Sequence, residues 1–553
     1  MPKRYFWNLF ATDGFINLPT DPTGTAPRKK VYVFGFVGGL YKVQAINACG
    51  RPAGPEKIVN PQFDTTVPEN LDALRGKAVI PSPRIDVEVG DELYITLANL
   101  GLFLTDPPIL DVHTIHIHGA HIATQLDGVP ETSFGVPVTP PGTPAITVTY
   151  FFKPDRPGSF FYHCHQEASE HVQMGMYGAL IVYPSMRSLA EAGIRKDRHW
   201  GWTLNRIPQP QIPITATNRN FAYNDINTFF NSDWVVLLSD IDSRWHQAVF
   251  EQADFNPVDY KPDWWLINGR AFPDTLLPTA LPESLVPDFG YSIPDGYEAY
   301  VRVSTGRSMP GNKSPETHPF GDPEPEDREP VDSEPGDAGS AEILHPNKLR
   351  PADKFLLRLI NVGYQPVPFH THGWMGLIVG KDTHPRVADM NNPAHEMNFT
   401  TLVGSGESYD VLYTADDKRG TYADYIFCGK AGFPSLKQQV ASATERSKEA
   451  GTFVPPFPGA KDLWTDIILQ AGLGRGSFIS PYNWATWNYG SVTADNFFFP
   501  QFYIAHNHDD YKVTNNGAYP GGQLMFIETD FPGSDYKADP PVITEPPHVC
   551  PPD

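Results

Sequence analysis

Two distant stretches of this chain run through the same elements in the same order, and no other feature restricts the fold as much. Residues 81–119 read PSPRIDVEVGDELYITLANLG, then a loop, then HTIHIHG. Residues 351–373 read PADKFLLRLINVG, a shorter loop, then VPFHTHG. Each is an alternating strand, an Asn-x-Gly turn, a connection and a His-x-His-Gly segment. Each continues to a later strand, FFYHCH at 160–165 or FYIAHNH at 502–508, and closes on an apolar run, GALIVYP or GGQLMFIE. The reading is two homologous β-sandwich domains.

The length agrees, because 553 residues exceed what one core usually holds. Abundant Gly (46) and Pro (57), without long helical periodicity, suit sandwiches with long loops. The first domain is expected over 30–185, behind an N-terminal extension at 1–29. Residues 186–228 read as a polar, Pro-containing connection, and the second domain spans 229–530, starting near DWVVLLSDID and DWWLINGRAF. A tail follows at 531–553. Two insertions interrupt the second domain. One, at about 305–345, contains GDPEPEDREPVDSEPGD and is too acidic and Pro-rich to bury much. The other, at about 424–500, is partly helical in pattern (SLKQQVASATERSKEA).

The net charge of -22 argues against nucleic acid and anionic membranes as partners. It suits a soluble protein and favours cationic substrates. No run is long enough to span a membrane, and the start, MPKRYFWNLFATDG, lacks the apolar stretch of a signal peptide. Four cysteines, Cys49, Cys164, Cys428 and Cys550, are too few for a disulfide framework. One disulfide remains open, with no pairing legible.

The histidines carry the chemistry. Of 18, ten fall into four clusters: His113, His116 and His118; His163, His165 and His171; His370 and His372; His506 and His508. Side chains on a strand alternate faces. Each His-x-His pair therefore points one way, and the four pairs supply eight imidazoles. Cys164 lies between His163 and His165 and points the opposite way, as does His113, three residues before His116. His171 and Met176 follow in HCHQEASEHVQMGM. Cys, two His and a weak Met are the ligand set of a blue copper site. A lone His-x-His is more often an ordinary strand feature than a metal site. Four such pairs in two repeats, one enclosing a cysteine, are not. The sequence thus places a Cys164, His113, His171, Met176 site back to back with an eight-imidazole cluster.

HTIHIHG, HCHQEASEHVQMGM, PFHTHG and HNH resemble the four copper motifs of multicopper oxidases, the family of laccases and metallo-oxidases. The resemblance covers about 80–185, 350–415 and 500–528. It implies an all-β chain of two cupredoxin-like Greek-key β-sandwich domains with long loop insertions. In three-domain members the blue copper lies in the last domain, whereas here its ligands lie in the first. Val367 stands where His113 stands in the first repeat, and Asn507 where Cys164 stands. The second repeat has therefore lost its blue site, as in two-domain members. The resemblance implies one type 1 copper at His113, Cys164, His171 and Met176. It implies a type 2 copper at His116 and His370, and two type 3 coppers at His118, His163, His165, His372, His506 and His508. Dioxygen and a reducing substrate, phenolic or a metal ion, are the implied partners. A homotrimer with clusters at its interfaces follows from the two-domain pattern, and an exported setting, periplasmic or extracellular, from the family's habit.

Two acids resemble the family's proton donors: Asp127, in QLDGVPE, beside the type 2 copper, and Glu167, two residues after His165, near the cluster. The plainer alternatives are a turn residue before Gly128 and a surface acid on a loop. Two rival functions remain. A copper nitrite reductase has two such domains but needs fewer histidines, leaving His118, His165 and His508 surplus. A copper-binding electron-transfer protein would need no complete cluster.

Overall fold

In a computed structural model the described residues are 1–21, 26–47, 49–281, 291–305, 352–416, 424–425, 428–451, 501–530 and 550. They fall into two compact units. The first comprises 1–301, 354–413 and 503–527, and the second 302–353, 414–502 and 528–553.

The chain is mostly β-sheet with few helices, the expected class. The first sandwich is built from nine strands: β1 Lys3–Leu18, β2 Lys29–Ile46, β3 Pro52–Ile58, β4 Ile85–Glu88, β5 Glu92–Asn99, β6 His116–His118, β7 Thr147–Phe152, β8 Gly158–His163 and β9 Tyr177–Tyr183. One sheet has the order β3-β2-β1-β5-β7 and the other β4-β9-β8-β6. Alternation decides what lies between them. Leu93, Ile95 and Leu97 of β5 face Phe160, Tyr162, Leu180 and Val182 in one buried core. The residues between them on β8 and β9, Phe161, Ala179, Ile181 and Tyr183, enter a second core shared with Val235, Leu237, Leu356 and Ile360 of the second sandwich. The run GALIVYP is apolar throughout because β9 is buried on both faces.

The N-terminal segment corrects an expected boundary. Residues 3–18, placed outside the first domain by the sequence, form β1 at the centre of its sheet, antiparallel to β2 and parallel to β5. The second sandwich repeats this plan. Strand Ser232–Ile241 runs parallel to Lys354–Asn361, with Leu238 opposite Asn361, as Ala11 is opposite Asn99. The two Asn-x-Gly turns also match: Asn99 accepts from Gly101 N–H and Asn361 from Gly363 N–H. The connection at 186–228 is more than a linker. It forms a three-stranded sheet with its own core around Leu189, Ile194, Trp202 and Phe221.

The second unit contains the helix Leu436–Glu449, in the stretch read as partly helical, and a disulfide between Cys428 and Cys550. The acidic Pro-rich insertion and residues 452–500 lie outside the described residues. Among the described residues, no helix is long and apolar enough to cross a membrane.

Candidate metal sites

Strand β8 separates two sites by its alternation. Phe160, Tyr162 and Cys164 face the inner core, whereas His163 and His165 are turned away from it and half-buried. The Cys164 sulfur lies 3.9 Å from His113 Nδ1 and 3.4 Å from His171 Nδ1. All three residues are fully buried, and their ligand atoms lie within 4.8 Å of one another. His113 Nε2 is buried without a hydrogen-bond partner. Two imidazoles turn their Nδ1 atoms to one buried sulfur, which is a donor set for a soft or borderline ion such as copper. Met176 is fully buried in the same core, and its carbonyl accepts the Cys164 N–H at 3.0 Å. Burial holds His113 well below the ordinary imidazole pKa, so it is neutral and able to bind metal. Burial opposes charge on His171 too, but Asp111 and the Cys164 sulfur outweigh it and raise its pKa to about 10. Asp111 Oδ2 stands 3.7 Å from His171 Nε2.

The sequence did not single out three residues of this site. Thr114 donates its N–H to the Cys164 sulfur at 3.5 Å, and its hydroxyl accepts the His165 N–H at 3.0 Å. Asp111 meets His171 at the outer edge, and Phe34 packs on His171 with ring centroids 5.6 Å apart. Thr114 was within reach of a sequence reading, since it sits between His113 and His116. Phe34 was not, because only tertiary packing brings β2 there.

On the other face, His116, His118, His163 and His165 form one set. Ring centroids are 5.1 Å apart for His116 and His163, 5.2 Å for His116 and His165, and 5.7 Å for His163 and His165. His116 Nδ1–H donates to the Asp127 carbonyl at 2.8 Å, and the Asp127 carboxylate is 3.1 Å away. His163 Nδ1–H donates to the Cys164 carbonyl at 2.8 Å. These bonds fix the tautomer and leave Nε2 for a metal. Burial lowers His163 to about 3 and lowers His118 as well.

The second sandwich holds an equivalent set. His370 Nδ1–H donates to the Phe399 carbonyl at 2.7 Å, and His506 Nδ1–H to the Asn507 carbonyl at 2.9 Å. His370 lies 5.0 Å from His508 between ring centroids, and His372 and His506 bring their Nε2 atoms to 3.2 Å. Among the described residues, ring contacts link the imidazoles within each set and none links one set to the other. All eight are partly or fully exposed.

The counterpart of the thiol site is filled differently. Asn507 N–H donates to the Gln523 carbonyl at 3.0 Å, matching Cys164 and Met176, and Val367 is buried. Glu167 also departs from expectation. It adopts a left-handed φ of 43°, and its carboxylate gathers with Asp111 and His171. The acid expected near the imidazole cluster thus stands at the edge of the thiol site, because the backbone reverses there to enter the helix Ala168–Met174.

Parts of this chain are similar to known copper proteins. The multicopper oxidase family model matches residues 74–187. Copper resistance protein A of Pseudomonas syringae pv. tomato is 29% identical over 259 residues, 43% of this chain and 39% of that protein. A copper-containing nitrite reductase of Pseudomonas chlororaphis is 30% identical over 144 residues, 24% of this chain and 35% of that protein. The chain therefore spans well under half the length of these relatives. Among solved structures, the blue copper oxidase of Nitrosomonas europaea superposes with a TM-score of 0.44 at 19% identity, covering 95% of this chain and 86% of that one.

Proposed function

We propose, from the match of residues 74–187 to the multicopper oxidase family model, that this chain couples one-electron oxidation of a reducing substrate to four-electron reduction of dioxygen to water. The observation that carries the reading is the buried Cys164 sulfur, with His113 and His171 Nδ1 turned to it at 3.9 and 3.4 Å, one residue from His163 and His165 on the opposite face. His113, Cys164 and His171, with Met176 as the weak axial ligand, would hold a type 1 copper. The eight outward imidazoles would hold one type 2 and two type 3 coppers: His116 and His370 for the former, and His118, His163, His165, His372, His506 and His508 for the latter. Bound copper would supply the one-electron chemistry.

The chain's own groups do the rest. Thr114 N–H stabilises negative charge on the sulfur, and Phe34 walls off the inner side of His171. The peptide bonds from Cys164 to its neighbours are the shortest covalent path between the sites. Asp127 orients His116 and can hold a proton at its carboxylate, 3.1 Å from Nδ1. Asp111 and Glu167 flank His171 at the outer edge, where a reductant would approach. Each chain exposes two half-clusters, so head-to-tail closure into a homotrimer would complete them between neighbours. The substrate is assigned as broad and laccase-like, with metal ions as the second class. The Cys428–Cys550 disulfide supports an oxidising, exported setting, periplasmic or extracellular.

The test is copper per chain together with the visible spectrum. About four coppers and an intense blue band support the reading. One or two coppers with the band would sink the cluster. The relative in Pseudomonas chlororaphis keeps a second reading, copper nitrite reductase, in view. Nitrite turnover without oxygen would establish it.

A further inference from the structure

Helix Ala168–Met174, which delivers His171 to the thiol site, has seven residues and is too short to hold its own position. What holds it is the second sandwich. The Tyr364 hydroxyl donates to the Ser169 carbonyl at 2.6 Å and the Ala168 carbonyl at 3.1 Å, at the start of the helix. Gln173, at its end, donates to the Asp240 carbonyl at 3.1 Å. Asp240 also governs the first hold. Its carboxylate accepts the Tyr260 hydroxyl, Tyr364 N–H at 3.1 Å and Gln365 N–H at 3.2 Å. One buried residue therefore grips both ends of the helix, with His171 between them.

The first repeat contains the same device. Ala11 pairs with Asn99 and Leu238 with Asn361, so Asp13 and Asp240 occupy equivalent positions, two residues further along. The fully buried Asp13 accepts the Tyr32 hydroxyl at 2.9 Å and Leu104 N–H at 2.7 Å. It thereby orders the loop that leads to His113. In each sandwich the strand parallel to the Asn-x-Gly strand carries a buried carboxylate, two residues past the pairing with that Asn, that captures a tyrosine hydroxyl and the backbone of a nearby loop. The second copy, no longer framing a thiol site of its own, frames the site of the first.

We infer that Asp240 is a positioning residue for His171, its carboxylate acting through Tyr364 and its backbone carbonyl holding Gln173, so that the second sandwich sets the ligand geometry of the thiol site. This rests on the copper reading of that site, and the experiment separates the two. Hydrogen exchange is measured over residues 163–176 of the metal-free full chain, for wild type, Tyr364→Phe, Asp240→Ala and Asp240→Asn. The copper-loaded proteins are then compared by visible band and by copper retention against a chelator. The expected result is faster exchange in Tyr364→Phe and Asp240→Ala, a shifted band and about tenfold weaker retention, with partial rescue in Asp240→Asn. Tyr183→Phe, which loses a bond to Asp233 elsewhere between the sandwiches, should lower the urea midpoint without moving the band. Unchanged exchange, or altered exchange with an unmoved band, overturns the inference. If Asp240→Ala does not fold, Tyr364→Phe decides alone. Altered exchange in a protein whose wild type shows no blue band keeps the clamp and overturns the copper reading instead.

Discussion

The side-chain amide of Asn507 donates to the side-chain oxygen of Gln523 at 2.8 Å, at the position where the first repeat sets Cys164 beside Met176. Gln523 donates in turn to the Ser239 and Leu266 carbonyls, both at 3.1 Å. Where the first repeat has two sulfur side chains, the second has a satisfied amide pair, and both amide residues are buried. Asn507→Ala leaves the Gln523 oxygen buried and unpaired. It should cost about 1–3 kcal/mol, read as a lower urea midpoint with the blue band unchanged. A lost band would mean that Asn507 serves the metal sites.

Cys164→Ser removes the one thiol that, among the described residues, meets His113 and His171. The blue band should vanish and copper fall by about one per chain, while the imidazole cluster keeps its metal. A persisting band would place the chromophore elsewhere.

Asp127→Asn keeps the carbonyl that orients His116 and removes the carboxylate. Oxygen consumption should slow by on the order of a hundredfold at unchanged copper content. An unchanged rate would leave Asp127 as a turn residue only.

His246 supplies a pH signature of stability. It is buried between the sandwiches, its Nδ1–H donates to the Tyr32 carbonyl, and burial lowers its pKa to about 4. The folded value lies below the unfolded value of about 6.5. As pH falls between the two, the unfolded chain takes up a proton that the folded chain refuses, so stability drops. Between pH 7 and pH 5 the loss from this residue is about 2 kcal/mol. His246→Asn should remove that portion of the slope, as measured by urea unfolding at both pH values. A slope equal to wild type would show that His246 does not contribute.

The half-clusters predict complementation. His118→Ala and His508→Ala each disable one half. Co-expressed, they should restore oxygen consumption at about a quarter of the interfaces, where two intact halves meet. Restoration confined to the level of either variant alone would rule out clusters shared between chains.

The way the candidate ligands face was legible in the sequence because strand alternation is local. Once FFYHCH is a strand, Cys164 must oppose His163 and His165, and the structure has them so. The repeat and the loss of the second thiol site were legible for the same reason, from Asn507 and Val367. Residues that act from a distance were not legible. Lys3–Leu18 carries no signal that it lies parallel to β5, since parallel pairing joins segments far apart in the chain. The place of Glu167 depends on one left-handed backbone angle. Phe34 reaches His171 because β2 packs across the first sandwich, and Asp240 reaches the helix that carries His171 because the two sandwiches pack on each other. Side-chain periodicity is written in neighbouring residues, and the amino-acid order alone settled which face of its strand each cysteine and histidine takes. Long-range packing brings together residues whose proximity no local pattern encodes, and it alone decided what holds those atoms in place.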